Sequence, residues 1–190
     1  MRGLIVNSIN MEVRESRGFT YYGDYSGNQL NEQFYSGGSE ICSVQLESID
    51  KVGGRQNCNG PKRNFATLFS INLKSDGDTK IQFGPDWGLG GAFFTDSGST
   101  DFVGNKWWSH NWKSNSVFEV DILAGKQTIN FIGWENCCAG ANSARYSTND
   151  GESWETLAVN AVPEPGALAL ICAGIVALGS TRYKQRKHTS

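Results

Sequence analysis

The sequence predicts an all-β fold, an antiparallel β-sandwich of jelly-roll type, followed by a C-terminal hydrophobic helix. Three observations lead there. Short segments alternate apolar and polar residues with period two, glycine-rich joins punctuate them at regular spacing, and an uncharged apolar run stands near the C-terminus. With 190 residues, 38% hydrophobic, the chain is long enough for one domain and an accessory segment. Charged residues make up 19% and the net charge is -2, without the basic stripe of a nucleic-acid binder, so no nucleic-acid partner is expected.

Residues 117–123 alternate most cleanly, placing Phe118, Val120 and Ile122 on one face and Glu119 and Asp121 on the other. Ala124-Gly125 reads as a turn, and residues 126–134 return with Ile129 and Phe131 in phase, a hairpin by pattern. In residues 65–73, Phe65, Phe69, Ile71 and Leu73 share one register. Shorter candidates are residues 43–49, 80–83, 92–95, 144–147 and 154–159. Their joins are Gly53-Gly54, Asp76-Gly77-Asp78, Gly88 to Gly91 and Asn149-Asp150-Gly151. No window before the tail shows a sustained helical period. Several short strands with turn signals between them give the sandwich.

The tail has a different grammar. Residues 167–178 carry no charge, and as a helix these twelve residues reach about 18 Å against a hydrocarbon core of about 30 Å. Gly166, Gly179 and Ser180 extend the run. A buried helix of a soluble domain normally keeps a polar face, and this run has none. Arg182, Lys184, Arg186 and Lys187 follow it, which marks the cytoplasmic side and puts everything before Pro163 across the membrane. Ahead of Pro163 the chain has 13 basic and 18 acidic residues, a mildly acidic body.

Pro163-Glu164-Pro165, the apolar run and the terminal basic cluster together resemble the PEP-CTERM sorting signal of Gram-negative bacteria. The resemblance covers about the last thirty residues. It implies an exported domain over residues 1–160 and a sorting signal over 161–190, with a transmembrane helix at about 166–180. It also implies exosortase, an integral-membrane transpeptidase-like enzyme, as partner, with cleavage near the motif. The protein would reside transiently in the inner membrane and then at the cell surface or outside the cell. Two prolines hold the motif extended just outside the membrane, which suits capture by a processing enzyme. The opening residues, MRGLIVNSINMEVRESRG, hold too short an apolar run for a signal peptide, so the true start is expected upstream of Met1.

Cysteine arithmetic agrees with export. Cys172 falls in the apolar run, leaving Cys42, Cys58, Cys137 and Cys138 in the body, an even number that suggests two disulfides among three connectivities. Direct Cys137–Cys138 pairing would close a strained ring, so the expected scheme ties each of these two to one of Cys42 and Cys58. A single body histidine, His110, and no paired CxxC argue against a metal site, and no cofactor is expected. Asp76, Asp78, Asp96 and Asp150 would suit calcium but read equally as turn residues. Gly133 to Gly140 with its vicinal cysteines, then Asp150-Gly151 and Trp154, also resembles the CCXG group of PEP-CTERM proteins. Asp86-Trp87-Gly88 and Trp107-Trp108 with Trp112 fit the same group, which carries no established activity.

All six tryptophans lie between residues 87 and 154. Exposed indoles stack on sugar rings, so Trp87, Trp107, Trp108 and Trp112 are the candidate carbohydrate-stacking residues, with exopolysaccharide as the candidate partner. Large aromatics also fill sandwich cores, which is the expectation for most of the six. The sequence has no GxSxG, HExxH or P-loop, and Asp86, Asp101, Glu119, Asp121 and Glu135 are the carboxylates a glycosidase would need. The reading is therefore a non-catalytic surface or extracellular-matrix module, with a secreted carbohydrate-active enzyme as the alternative.

Overall fold

The computed structural model describes residues 3–16, 27–95, 100–103, 106–136 and 140–160. Every pairing between its strands is antiparallel. One sheet has six strands in the order β2 (Glu40–Leu46), β1 (Leu4–Glu15), β3 (Phe65–Ser75), β10 (Gly125–Glu135), β6 (Gly91–Thr95) and β7 (Thr100–Val103). A four-stranded sheet has the order β12 (Glu155–Thr156), β11 (Ser143–Ser147), β4 (Thr79–Gly84) and β9 (Phe118–Ile122). A two-stranded ribbon pairs β5 (Asp86–Trp87) with β8 (Lys106–Trp107). Helix α1 (Gly27–Ser36) and the single turn α2 (Gly54–Cys58) complete the elements.

The two sheets face each other across the main core, which is the antiparallel sandwich the alternation predicts. Phe83 of β4 lies flat on Phe131 of β10, with ring centroids 4.3 Å apart and planes 9° apart. Phe69, Trp87 and Phe93 close around that pair. Trp87 fits because Gly91 and Gly133 face each other on β6 and β10, and a Cβ on either would overlap its indole. A second core lies on the other side of the six-stranded sheet, where Leu30 and Phe34 of α1 cover Ala66, Leu68, Ala92, Phe94, Ile132 and Trp134. The center of this sheet thus carries apolar residues on both faces, and residues 65–69 of β3 are buried without interruption.

Three expectations are corrected. The hairpin over residues 117–134 does not form: β9 pairs with β4 in one sheet and β10 with β3 in the other. Gly125, at φ 127, turns the chain from one layer to the other, and the corner between β3 and β4 at Asp76–Asp78 makes the same passage at that end. Helix α1 is present although its only buried apolar side chains are Leu30 and Phe34, an i, i+4 pair too sparse to show as a period. Cys42 bonds to Cys58, with Cα atoms 5.8 Å apart, not to either of the vicinal cysteines. The turn α2 carries Cys58 back to the edge strand β2, a proximity that spacing along the chain does not reveal.

Cys137 and Cys138 lie outside the described residues, as do Asp96 and the whole of 161–190. That range contains Pro163, Glu164, Pro165, Cys172, Arg182, Lys184, Arg186 and Lys187. Among the described residues no helix is long and apolar enough to cross a membrane.

Candidate functional site

The outer face of the four-stranded sheet gathers the side chains with the most chemistry. Register places Arg145 of β11, Gln82 of β4 and Glu119 of β9 in one row, with Lys80 and Asp121 in the next. Alternation sends all of them outward, because Ala144, Ile81, Phe83, Val120 and Ile122 point into the core. The row is linked by hydrogen bonds. Arg145 Nε donates to Gln82 Oε1 at 2.8 Å, and Gln82 Nε2 donates to Glu119 Oε2 at 2.8 Å. Lys80 Nζ donates to Glu119 Oε1 at 3.1 Å and Asp121 Oδ1 at 3.2 Å, and it stands 3.5 Å from Asp150 Oδ1. Hydrogen bonds to Glu119 and Asp121 raise the Lys80 ammonium well above the ordinary lysine range. A cleft of about 500 Å³ opens beside this cluster, lined by Asp78, Lys80, Asp121, Leu123 and Asp150.

Two loops lean over Arg145. Its guanidinium carbon lies 4.4 Å from the ring center of Trp112 and 4.6 Å from that of Trp154. The loop over residues 108–117 is stiffened by Asn111, whose side-chain oxygen accepts from the Lys113 amide at 3.0 Å and whose carbonyl accepts from the Ser114 amide at 2.9 Å. Residues 148–154 are pinned by Ser147, whose Oγ accepts from the Gly151 amide at 2.8 Å, and by Asn149, whose amide donates to Ser153 Oγ at 2.9 Å. Trp112 also leans on Trp108, 4.8 Å away. Desolvation under the two indoles lowers the Arg145 pKa, and the Glu119 carboxylate opposes that shift.

The hydrogen-bond inventory of this cluster is incomplete within the protein. Among the described residues, Arg145 uses only Nε, so its Nη1 and Nη2 groups donate to nothing. Neither the Trp112 nor the Trp154 indole N–H has a partner there. All of these groups are half-buried at an open surface. The arrangement presents flat aromatic edges and several donors in fixed positions, which suits hydroxyl-rich ligands.

The four candidate stacking tryptophans separate. Trp112 belongs to the cluster. Trp87 is 1% exposed in the main core, and Trp108 is 5% exposed, laid over Gly84 where a Cβ would come within 2.5 Å of its ring. Neither has a face open to a sugar, so both are corrected to packing residues. The Trp107 backbone lies in β8, and its side chain is outside the described set. Trp154 and Arg145 are the residues that the sequence reading missed, since the cluster brings Trp112 to Arg145 across 33 positions and Trp154 to it across a loop. Two glycines opposite one another, Gly91 and Gly133, are the signal that assigns Trp87 to a bed rather than to the surface.

The candidate carboxylates are dispersed. Glu135 is buried and accepts from the Gly88 amide at 2.9 Å. Asp86 sits half-buried near His110, and desolvation raises its pKa while the imidazole opposes the shift. Glu119 and Asp121 are engaged by Lys80. Of the turn aspartates, Asp76 pairs with Lys74 at 3.1 Å and Asp150 with Lys80. Among the described residues no group of three metal-ligating side chains converges.

No family model matches the chain, and no curated protein matches it. Solved structures do. A subtype-switched Epithelial Adhesin 9 to 1 A domain from Candida glabrata, in complex with beta-lactose, aligns with a TM-score of 0.50 at 12% identity over 80% of this chain and 88% of the adhesin. The PA14 domain of the MpAFP antifreeze protein aligns at 0.48 and 13% identity over 82% and 89% of the two chains. A GH31 alpha-xylosidase from Xanthomonas citri aligns at 0.39 and 11% identity, over 81% of this chain and 17% of the enzyme. The adhesin likeness establishes the fold alone, and the two lower scores add nothing to it.

Proposed function

We propose that this chain is an exported cell-surface or extracellular-matrix module that binds polysaccharide without cleaving it. The observation that carries the reading is the Arg145 guanidinium clamped between Trp112 and Trp154, with donors left over at the surface. A structural staple between two loops would account for the stacking. The fixed position of the remaining N–H donors at an open surface is what supports a ligand there as well. The adhesin domain that shares the sandwich was solved with beta-lactose, which supports a glycan as the ligand class. Within this reading, Pro163-Glu164-Pro165, the helix over about 166–180 and the basic cluster form the address read by exosortase, and the fold ahead of them is delivered outside the cell.

Titration of the purified chain with a panel of polysaccharides, followed by tryptophan fluorescence and by assay of reducing ends, tests the binding. A saturable fluorescence change that Trp154→Ala abolishes, without release of reducing ends, is expected. Reducing-end release that disappears in Glu119→Gln or Asp121→Asn would replace the reading with a secreted carbohydrate-active enzyme. Sorting is tested by mass analysis of the full chain made in an exosortase-positive cell. Truncation near residues 163–165 is expected, and an intact C-terminus on the surface-exposed protein would overturn it.

A further inference from the structure

The polar groups on the outer face of the four-stranded sheet also bear on which glycans the site accepts, an argument that rests on the glycan-binding reading. A guanidinium offers its two terminal nitrogens as a planar fork that fits two oxygens side by side. In Arg145 that fork is free among the described residues, while Nε is held by Gln82 and the guanidinium carbon lies 4.4 Å and 4.6 Å from the ring centers of Trp112 and Trp154. The cation cannot swing to meet a ligand, so the ligand must bring paired oxygens to its edge. Two kinds of sugar do so: a uronate through its carboxylate, and a neutral pyranose through adjacent hydroxyls.

Charge decides between them. On this face Lys80 is shared by Glu119, Asp121 and Asp150. Glu119 is the carboxylate whose field reaches Arg145 itself. Along the linked rows Glu119, Asp121 and Asp150 stand against Arg145 and Lys80, so a uronate entering there would meet repulsion that a neutral sugar would not.

We infer that the Trp112–Arg145–Trp154 site takes uncharged sugars through two adjacent hydroxyls on the Arg145 fork, and that Glu119 selects against uronates. Neighboring indole N–H groups supply further donors to ring or hydroxyl oxygens, so the recognition is donor-led and needs no counter-charge on the ligand.

The experiment measures calorimetric binding of the full chain to matched tetrasaccharides. Cellotetraose, maltotetraose and mannotetraose represent the neutral class, and tetragalacturonate and tetraguluronate the acidic one. At least one neutral member is expected to bind about tenfold or more tightly than either uronate, a ratio set by charge placement. Glu119→Gln is expected to shrink that ratio by strengthening uronate binding, and Arg145→Lys to weaken neutral binding about tenfold while thermal unfolding stays near wild type. Uronates binding as tightly as the neutral sugars would overturn the selectivity and leave the glycan module standing. An unchanged ratio in Glu119→Gln would remove Glu119 from the account, and undiminished binding by Arg145→Lys would remove the fork. Failure of every tetrasaccharide to bind would sink the glycan reading itself, along with the inference built on it.

Discussion

On the outer face of the six-stranded sheet, polar side chains satisfy one another. Asn72 donates to Ser8 Oγ at 2.9 Å and accepts from Thr128 Oγ1 at 2.9 Å, while Ser70 donates to Asn130 Oδ1 at 2.8 Å. The other half of that face is roofed by α1, and Arg14 fastens the helix by donating to the Gly38 carbonyl at 3.1 Å while its guanidinium lies 4.9 Å from the Tyr35 ring center. The outer face of the four-stranded sheet has a comparable linked row, yet it stops at Arg145 with donors unspent. Both faces are built from period-two alternation on antiparallel strands, so the difference lies in what covers them. A helix seals one side, and two loops that bring Trp112 and Trp154 to Arg145 frame the other. On the sealed side the polar groups are spent on one another, and on the open side donors of Arg145 are left facing solvent, where the proposed ligand would meet them.

The contrast can be broken most strongly at the sealed side. Phe34→Ala empties the second core beneath α1 and is expected to cost about 3–5 kcal/mol in urea unfolding, with sugar affinity in the surviving folded protein unchanged. Next is the disulfide at the edge of that sheet. With its cysteines 16 positions apart, replacing both Cys42 and Cys58 by Ala is expected to cost about 3 kcal/mol by chain entropy, again without touching sugar binding. A matched pair of variants then sharpens the comparison. Thr128→Val is expected to cost about 1 kcal/mol of stability and leave the sugar titration intact, whereas Trp154→Ala costs about 0.5–1 kcal/mol and abolishes it. Equal effects of the two on binding would erase the distinction between the faces.

The smallest effect concerns alkaline pH. Burial, reinforced by Glu155, pushes the Tyr146 phenol up to about 12. A raised folded value means that its stabilizing share is complete below the unfolded value near 10 and is lost as pH climbs from there to about 12. Tyr146→Phe is expected to flatten that alkaline limb in pH-dependent denaturation, and an unaltered limb would assign it to other groups.

Much of the sandwich was legible in the sequence because β4 and β9 alternate throughout, and β3 and β10 alternate outside the stretch covered by α1. Phe69, Ile71 and Leu73 are buried on one face of β3, as their register implies. Strand β1 was not legible, for a local reason. Leu4 and Val6 point inward, but pairing with β3 slips between Val6 and Ser8, and the inward set resumes at Ile9, Met11 and Val13. One extra residue breaks the period that the eye follows. The false hairpin had the opposite cause: two sound strands and a plausible turn, with nothing local to say that Gly125 sends the chain into another layer. At the site, Trp112 was visible as a residue type, but its pairing with Arg145 and Trp154 is tertiary. Aromatic content alone did not separate it from Trp87 and Trp108, which glycine beds draw inward.

The central partnership of β3 with β10 has a consequence for the order of assembly. Its paired residues stand 50 to 70 positions apart, and it joins the β2, β1, β3 half of the sheet to the β10, β6, β7 half. A ribosome releasing this chain delivers β1, β2 and β3 long before their missing companion, so the larger sheet has no closed middle until residue 135 is free. Such remote closure places folding in the slow, millisecond-to-second regime of β-rich domains.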